Sequence, residues 1–279
     1  MAKEQLQWHD LISRLDNPNE IEASIKAAKA ISKVAGPEHV KELYSLLQSP
    51  NFFVRETAAV PLTRLEGIKV LPHLFRAMEQ GELDGHDNDS LTNTLIGLIE
   101  SNKKKVTPLL LDMLKSSENG ARADAVWALG FVTAQVEPSI FIDLVRNDKD
   151  AEIRSMAASA LQSYSGGKKK YPVNTDSFRG RWMWLDTAEN LQYGFEIEGA
   201  QGICIKSNSP ALVNGDVILK IQLADDPVFV GQQIFTNWAW YPITGIRDGQ
   251  KLFMEGGGLN WTMEWVHLTP PIRSADSPE

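Results

Sequence analysis

The sequence predicts a multidomain α + β protein: an N-terminal α-solenoid of helix pairs, followed by a small antiparallel β-barrel or β-sandwich. Three observations carry this reading. A phrase of the form Arg-x2-Ala-x3-Leu recurs at Arg55/Ala58/Leu62, Arg122/Ala125/Leu129 and Arg154/Ala157/Leu161. Around 167–177 the chain turns to Gly, Lys, Pro, Asn and Asp, the composition of a linker. Beyond it the apolar period drops from that of a helix to two.

Weaker copies of the phrase fit at Ser24/Ala27/Ile31 and Leu91/Thr94/Leu98. The anchors therefore stand at 24, 55, 91, 122 and 154, in steps of 31, 36, 31 and 32 residues. A period in this range belongs to stacked helical pairs, each burying its apolar face on its neighbours. Short polar turns precede the three strong copies: Ser49-Pro50-Asn51, the run 116–120 and the run 147–150. The first helices of the pairs fall near 4–15, 37–48, 68–79, 103–116 and 137–146. The second helices fall near 19–35, 51–66, 88–101, 119–133 and 150–164. Val40, Leu43, Leu46 and Leu47 keep helical spacing, as do Val54, Ala58 and Leu62. Pro37, Pro108 and Pro138 stand in first turns, where a missing amide costs little. Pro61 falls inside a second helix and should kink it or shift its start.

These residues resemble the HEAT-repeat family over 1–166, including its short bacterial, bilin-lyase-like members. Val54-Arg55, Ile153-Arg154 and the Ala and Leu positions carry the likeness. The resemblance implies that the alanines let paired helices approach closely. It also implies that Arg55, Arg122 and Arg154 link neighbouring repeats through turn acids such as Asp148 or Asp150. The turns before Arg55 and Arg122 carry Ser and Asn where that family has Asp, which thins the ladder.

Residues 178–270 read as a β domain of about eight short strands. Alternation runs through Phe178, Gly180, Trp182 and Trp184, then Leu191 to Ile197, Ile203 and Ile205, and Val217, Leu219 and Ile221. It resumes at Val228 and Val230, Trp238 and Trp240, Leu252 and Met254, and Leu259 to Trp265. Asp248-Gly249 is a hairpin signal, and 271–279 reads as a disordered tail. The opening Phe178-x-Gly180-x-Trp182 is similar to the Gly-x-Trp of lipocalin-type barrels. That likeness implies a Trp-lined interior serving as a ligand cavity.

Composition narrows the function classes. The net charge is −8, and neither half is basic: Lys+Arg against Asp+Glu is 21 to 23 over 1–170 and 7 to 13 over 171–279. Phosphate neutralisation along a nucleic acid needs the opposite balance, so no nucleic acid is expected. The runs Lys103–Lys105 and Lys168–Lys170 read as solvated turn lysines. No apolar run approaches the ~20 residues that span a bilayer, so no membrane is expected. The first residues lack the apolar core of a signal peptide, and Cys204 is the one cysteine. Together these point to a reducing, cytoplasmic location.

No catalytic set emerges. His9, His39, His73, His86 and His267 lack metal-ligand spacing. The acidic run Glu82–Asp89 alternates like part of a calcium loop but lacks its closing acid, so it reads as an enlarged turn. Gly256–Gly258 joins two strands and has no following helix, so it is not a phosphate loop. Cys204 reads as a buried structural thiol. No cofactor and no metal site is expected.

What remains is a surface for binding. Stacked helical repeats present extended faces to macromolecules and seldom perform chemistry. Trp127, Asp124 and Arg64 lie on second helices beside the repeated phrase and are candidate partner contacts. Trp182, Trp184, Trp238, Trp240, Trp261 and Trp265 either fill the β core or line an aromatic pocket for a planar, hydrophobic ligand. The function expected is a non-enzymatic protein–protein interaction adaptor or scaffold. The acidic β domain favours a basic partner. Two alternatives stand beside it: a small-molecule or chromophore-binding, lyase-like protein, and an immunity-type inhibitor of a basic protein.

Overall fold

The computed structural model describes residues 2–15, 20–165, 169–186, 191–208, 212–234, 239–256 and 258–266. Helices fill the first part of the chain: α1 (Ala2–Leu15), α2 (Ile21–Val34), α3 (Val40–Leu46), α4 (Phe52–Glu66), α5 (Leu71–Leu83), α6 (Asp89–Ser101), α7 (Lys103–Met113), α8 (Asn119–Gly130), α9 (Pro138–Asn147) and α10 (Ala151–Leu161). Strands fill the second: β1 (Gly180–Asp186), β2 (Leu191–Glu198), β3 (Gln201–Ser207), β4 (Val217–Asp225), β5 (Val228–Ile234), β6 (Trp240–Asp248), β7 (Lys251–Gly256) and β8 (Leu259–Val266).

The chain divides into two compact units, 1–116 and 117–279. Secondary structure changes inside the expected 167–177 segment, but compactness divides the chain earlier, because α10 and the turn after it pack on the barrel while α8 and α9 pack on α10.

In the first unit α1 packs on α2, α3 on α4 and α5 on α6, while α2, α4 and α6 pack in series. The repeated phrase explains this. Ala27, Ala58, Ile31 and Leu62 are all fully or nearly fully buried, and the small alanines allow close approach of the helices. The anchor residue sits at one position each time: Ser24, Arg55, Thr92, Arg122 and Arg154 donate their backbone N–H to the carbonyl of the residue that caps their helix, at 2.7–3.3 Å. In α6 the anchor is thus Thr92, one residue beyond the expected Leu91, and the buried pair is Leu95 and Ile99. The enlarged turn after α5 supplies the extra residue. It closes with His86 N–H donating to Gly81 O at 2.9 Å and Asn88 Nδ2 to Met78 O at 2.9 Å. Pro61 is buried inside α4, and the helix runs through it.

In the second unit β1 to β8 pair consecutively and antiparallel, and β1 pairs with β8 to close a barrel. Closure removes the exposed edges that a sandwich would leave. Phe178, Trp182, Phe195, Ile218, Phe229, Ile243, Leu252 and Met263 are buried in one core cluster that fills the interior. Half-buried Trp184, Tyr193, Trp240, Trp261 and Trp265 pack against it.

The outer wall at β5 and β6 is covered as well. Val228 and Val230 are buried beside Phe229, and α10 with the turn Gln162–Tyr164 lies against β5 and β6. Thr244 Oγ1 donates to Ala158 O at 2.9 Å. Ser159 Oγ donates to Glu255 Oε1 at 2.8 Å. Arg146 donates to Asp226 O. Tyr164 OH donates to Val136 O at 3.0 Å and stacks edge-on against Phe141 and Tyr171. Part of the expected linker is fixed too, because Val173 bridges to Ala224.

Candidate functional site

The arginines of the repeated phrase set the geometry of the helical side. Each turns one amine back to a carbonyl of its own preceding turn: Arg55 Nη1 to Ser49 O at 2.8 Å, Arg122 Nη1 to Ser117 O at 3.2 Å, and Arg154 Nη1 to Asp148 O at 2.8 Å. Two also reach forward to an acid in the following turn. Arg122 holds Asp148 through Nε–Oδ2 at 2.9 Å and Nη2–Oδ1 at 3.0 Å. Arg55 Nη1 lies 3.5 Å from Asp84 Oδ2. The Arg122 guanidinium holds the Asp148 carboxyl below the usual aspartate range against the opposing effect of burial. The ladder implied by the sequence is thus present at Arg55 and Arg122. Arg154 bonds only a backbone carbonyl of Asp148 among the described contacts.

Arg154 opens instead onto a trough between helices and barrel. A cavity of about 370 Å³ is lined by Val145, Arg154 and Ser155 from α9 and α10, and by Thr244, Phe253, Glu255 and Trp261 from β6, β7 and β8. A second cavity of about 440 Å³ lies between α8 and α10, lined by Trp127, Gly130, Glu152, Ser155 and Met156. Ser155 borders both, so the two form adjoining parts of one surface. Its lining is mainly apolar, with aromatic rings at both ends. Trp127 meets Phe131 edge-on at 4.8 Å. Phe253 is 42% exposed.

Of the candidate residues, the trough brings together Trp127 and Trp261. Trp182 lies elsewhere in role: it is 1% exposed, and its indole Nε1 donates to Phe178 O at 2.8 Å. Trp265 stands opposite Trp182 across β1 and β8, and Trp184 opposite Tyr193. Trp240 lies under the Lys220 ammonium, 4.0 Å from the ring centre. Trp238 and the 271–279 tail lie outside the described residues. Asp124 is half-buried on α8. Arg64 is turned to another task, donating to Ser32 O and Ala35 O at 2.7 Å and so tying α4 to the C-terminal end of α2.

Sequence reasoning missed Arg154, Ser155, Phe253 and Glu255 as lining residues. A signal was present for the arginine: it belongs to the last copy of the phrase, with no further copy to supply an acid.

Inside the barrel, burial pushes the Tyr193 hydroxyl and the Cys204 thiol above their ordinary values. Tyr193 OH accepts from Gln233 Nε2 at 3.0 Å. Among the described residues no three His, Cys, Asp or Glu side chains cluster as metal ligands. No described helix is long and apolar enough to cross a membrane.

Residues 82–162 match the family of HEAT repeats, which covers α6 to α10 and includes Arg122 and Arg154. No curated protein matches the chain. The helical region therefore carries HEAT repeats, and the barrel that follows is recognised by no family.

Proposed function

We propose that HEAT repeats fused to a closed barrel make this chain a non-enzymatic protein-interaction module, and that the trough bordered by Trp127, Ser155 and Trp261 is its docking site. HEAT repeats generally mediate protein–protein interaction. The observation that carries the reading is the trough itself. Two half-buried tryptophans and an exposed Phe253 frame a groove beside one arginine. Aromatic and arginine side chains in partly desolvated pockets are the usual anchors of protein interfaces. The partner is a protein that inserts an extended segment. The excess of acid over base in the chain favours a basic partner, through steering more than through affinity. An adaptor in the cytoplasm and an inhibitor of a basic protein both fit this description.

The small-ligand alternative draws less support, since the barrel interior is filled by side chains and the indole of Trp182 is already bonded.

The test is quantitative affinity capture with the full-length chain, wild type against Trp127→Ala/Trp261→Ala, in extract of the native organism. The expected result is a stoichiometric protein retained by the wild type and reduced about tenfold or more by the double variant. Equal retention by both would reject the trough as the docking site.

A further inference from the structure

We propose that Arg154 is a carboxylate receptor, and that the docking segment places an Asp or Glu side chain against it with apolar residues on either side. This rests on the trough being the docking site.

Three arginines occupy one structural position. Arg55, Arg122 and Arg154 are each the fourth residue after their helix cap, and each sends Nη1 back to a carbonyl of its own turn. In Arg55 and Arg122 the guanidinium also faces an acid of the next turn, Asp84 or Asp148. No further repeat follows α10 among the described residues to offer Arg154 a next turn. Among the described residues no carboxylate forms an ion pair with it, and its side chain borders the trough. The arginine of the ladder thus recurs, among the described residues, once more than the acid.

The chemistry suits that role. A guanidinium fixed by one bond to a backbone carbonyl keeps the rest of its planar fork for a carboxylate, and little further ordering is needed. Arg154 is half-buried, so a charge pair there is less screened than one on open surface. The flanking surfaces of Val145, Phe253 and Trp261 are apolar and would cover the neighbours of the incoming acid. Glu255 borders the same cavity, but its carboxylate accepts from Ser159 and is turned to the helix. It acts as a negative neighbour that an incoming acid must tolerate.

The experiment is selection of random nine-residue peptides, displayed on phage, against the full-length protein. Binders are then measured on four proteins: wild type, Arg154→Met, Arg154→Lys and Glu255→Gln. Thermal melts confirm that each variant is folded, and Arg154→Lys retains a donor for Asp148 O. The expected result is enrichment of peptides with an Asp or Glu between apolar residues. Affinity should fall about tenfold or more with Arg154→Met, and equally when the peptide acid becomes its amide, with no further loss when both changes are combined. Arg154→Lys should lie between, because it keeps the charge and loses the fork. Glu255→Gln should bind severalfold tighter.

Peptides without an acid, unaffected by Arg154→Met but lost in Trp127→Ala/Trp261→Ala, would overturn the carboxylate role and leave the trough as a docking site. Binders insensitive to all of these variants, or none at all, would overturn both.

Discussion

Arg122 and Asp148 form the tightest rung between consecutive repeats: two hydrogen bonds of 2.9 and 3.0 Å, with both side chains less than one-tenth exposed. Asp148 Oδ1 also accepts from the backbone N–H of Asp150 at 2.9 Å. Asp150 in turn caps α10 through Glu152 N–H and accepts from Asn119 Nδ2. One carboxylate therefore orders the turn that presents α10, and α10 presents the trough. Asp148→Ala should lower the melting midpoint of the full chain by several degrees, more than Asp143→Ala on the exposed side of α9. Equal midpoints, read by calorimetry, would show that the rung does not hold the turn.

The same pair gives a pH dependence. The folded value of Asp148 lies below its ordinary, unfolded value of about 3.9. A depressed carboxylate contributes stability that is fully present above the unfolded value and is lost as pH falls through the folded one. The wild-type midpoint should therefore drop, as pH falls below about 4, more steeply than that of Asp148→Asn. Parallel curves for the two proteins would contradict the assignment.

The tryptophans should separate into two classes. Trp182→Ala removes a fully buried ring and its bond to Phe178 O, and should cost about 3–5 kcal/mol. Trp261→Ala, at the trough edge, should cost less than half of that while removing partner binding. Gly180→Ala should resemble the first class. Gly180 has φ +126°, and a Cβ there would meet the Trp265 indole nitrogen, so about 2 kcal/mol or more is expected. Denaturant unfolding of the three variants checks the order.

The division at 116/117 makes a further demand. A chain of residues 117–279 should unfold in one cooperative transition. A chain beginning at 169 would uncover Val228, Val230 and Thr244 on the wall that α10 covers, and should bind a hydrophobic dye and melt well below it. Thr244→Val in the full chain should cost about 1 kcal/mol through the lost bond to Ala158 O. A barrel chain as stable as 117–279 would show that the helices merely neighbour it.

Much of the fold was legible because periodicity reports burial directly. The small Ala58, Ala125 and Ala157 and the large Leu62, Leu129 and Leu161 are all buried as their spacing requires. The strand alternation gave the eight strands, and closure through Trp182 and Trp265 then decided for the barrel. The second weak copy stands one residue off because Thr92 and Leu91 fit the phrase almost equally. Only the enlarged turn before α6 fixes which one is the anchor.

The docking of α10 on the barrel was harder to read, yet it left a trace. Val228, Phe229 and Val230 are consecutive apolar residues, and all three are buried. A strand buried on both faces reads as a continuous apolar run, so an outer cover for β5 was implied. Thr244 concealed the rest: an outward threonine in an alternating strand looks solvated until Ala158 O is found beside it. The trough depends on that docking, which is why Trp127 and Trp261 were found separately and not as one site.

The most direct measurement is photo-cross-linking in the native organism with a benzoylphenylalanine at Ser155, the residue that both cavities share. A probe at exposed Lys104 on α7 serves as the control. If the trough docks a protein, one discrete adduct forms from position 155, disappears in the Trp127→Ala/Trp261→Ala background, and does not form from position 104. Absence of an adduct at 155, or an adduct that persists in that background, would contradict the assignment.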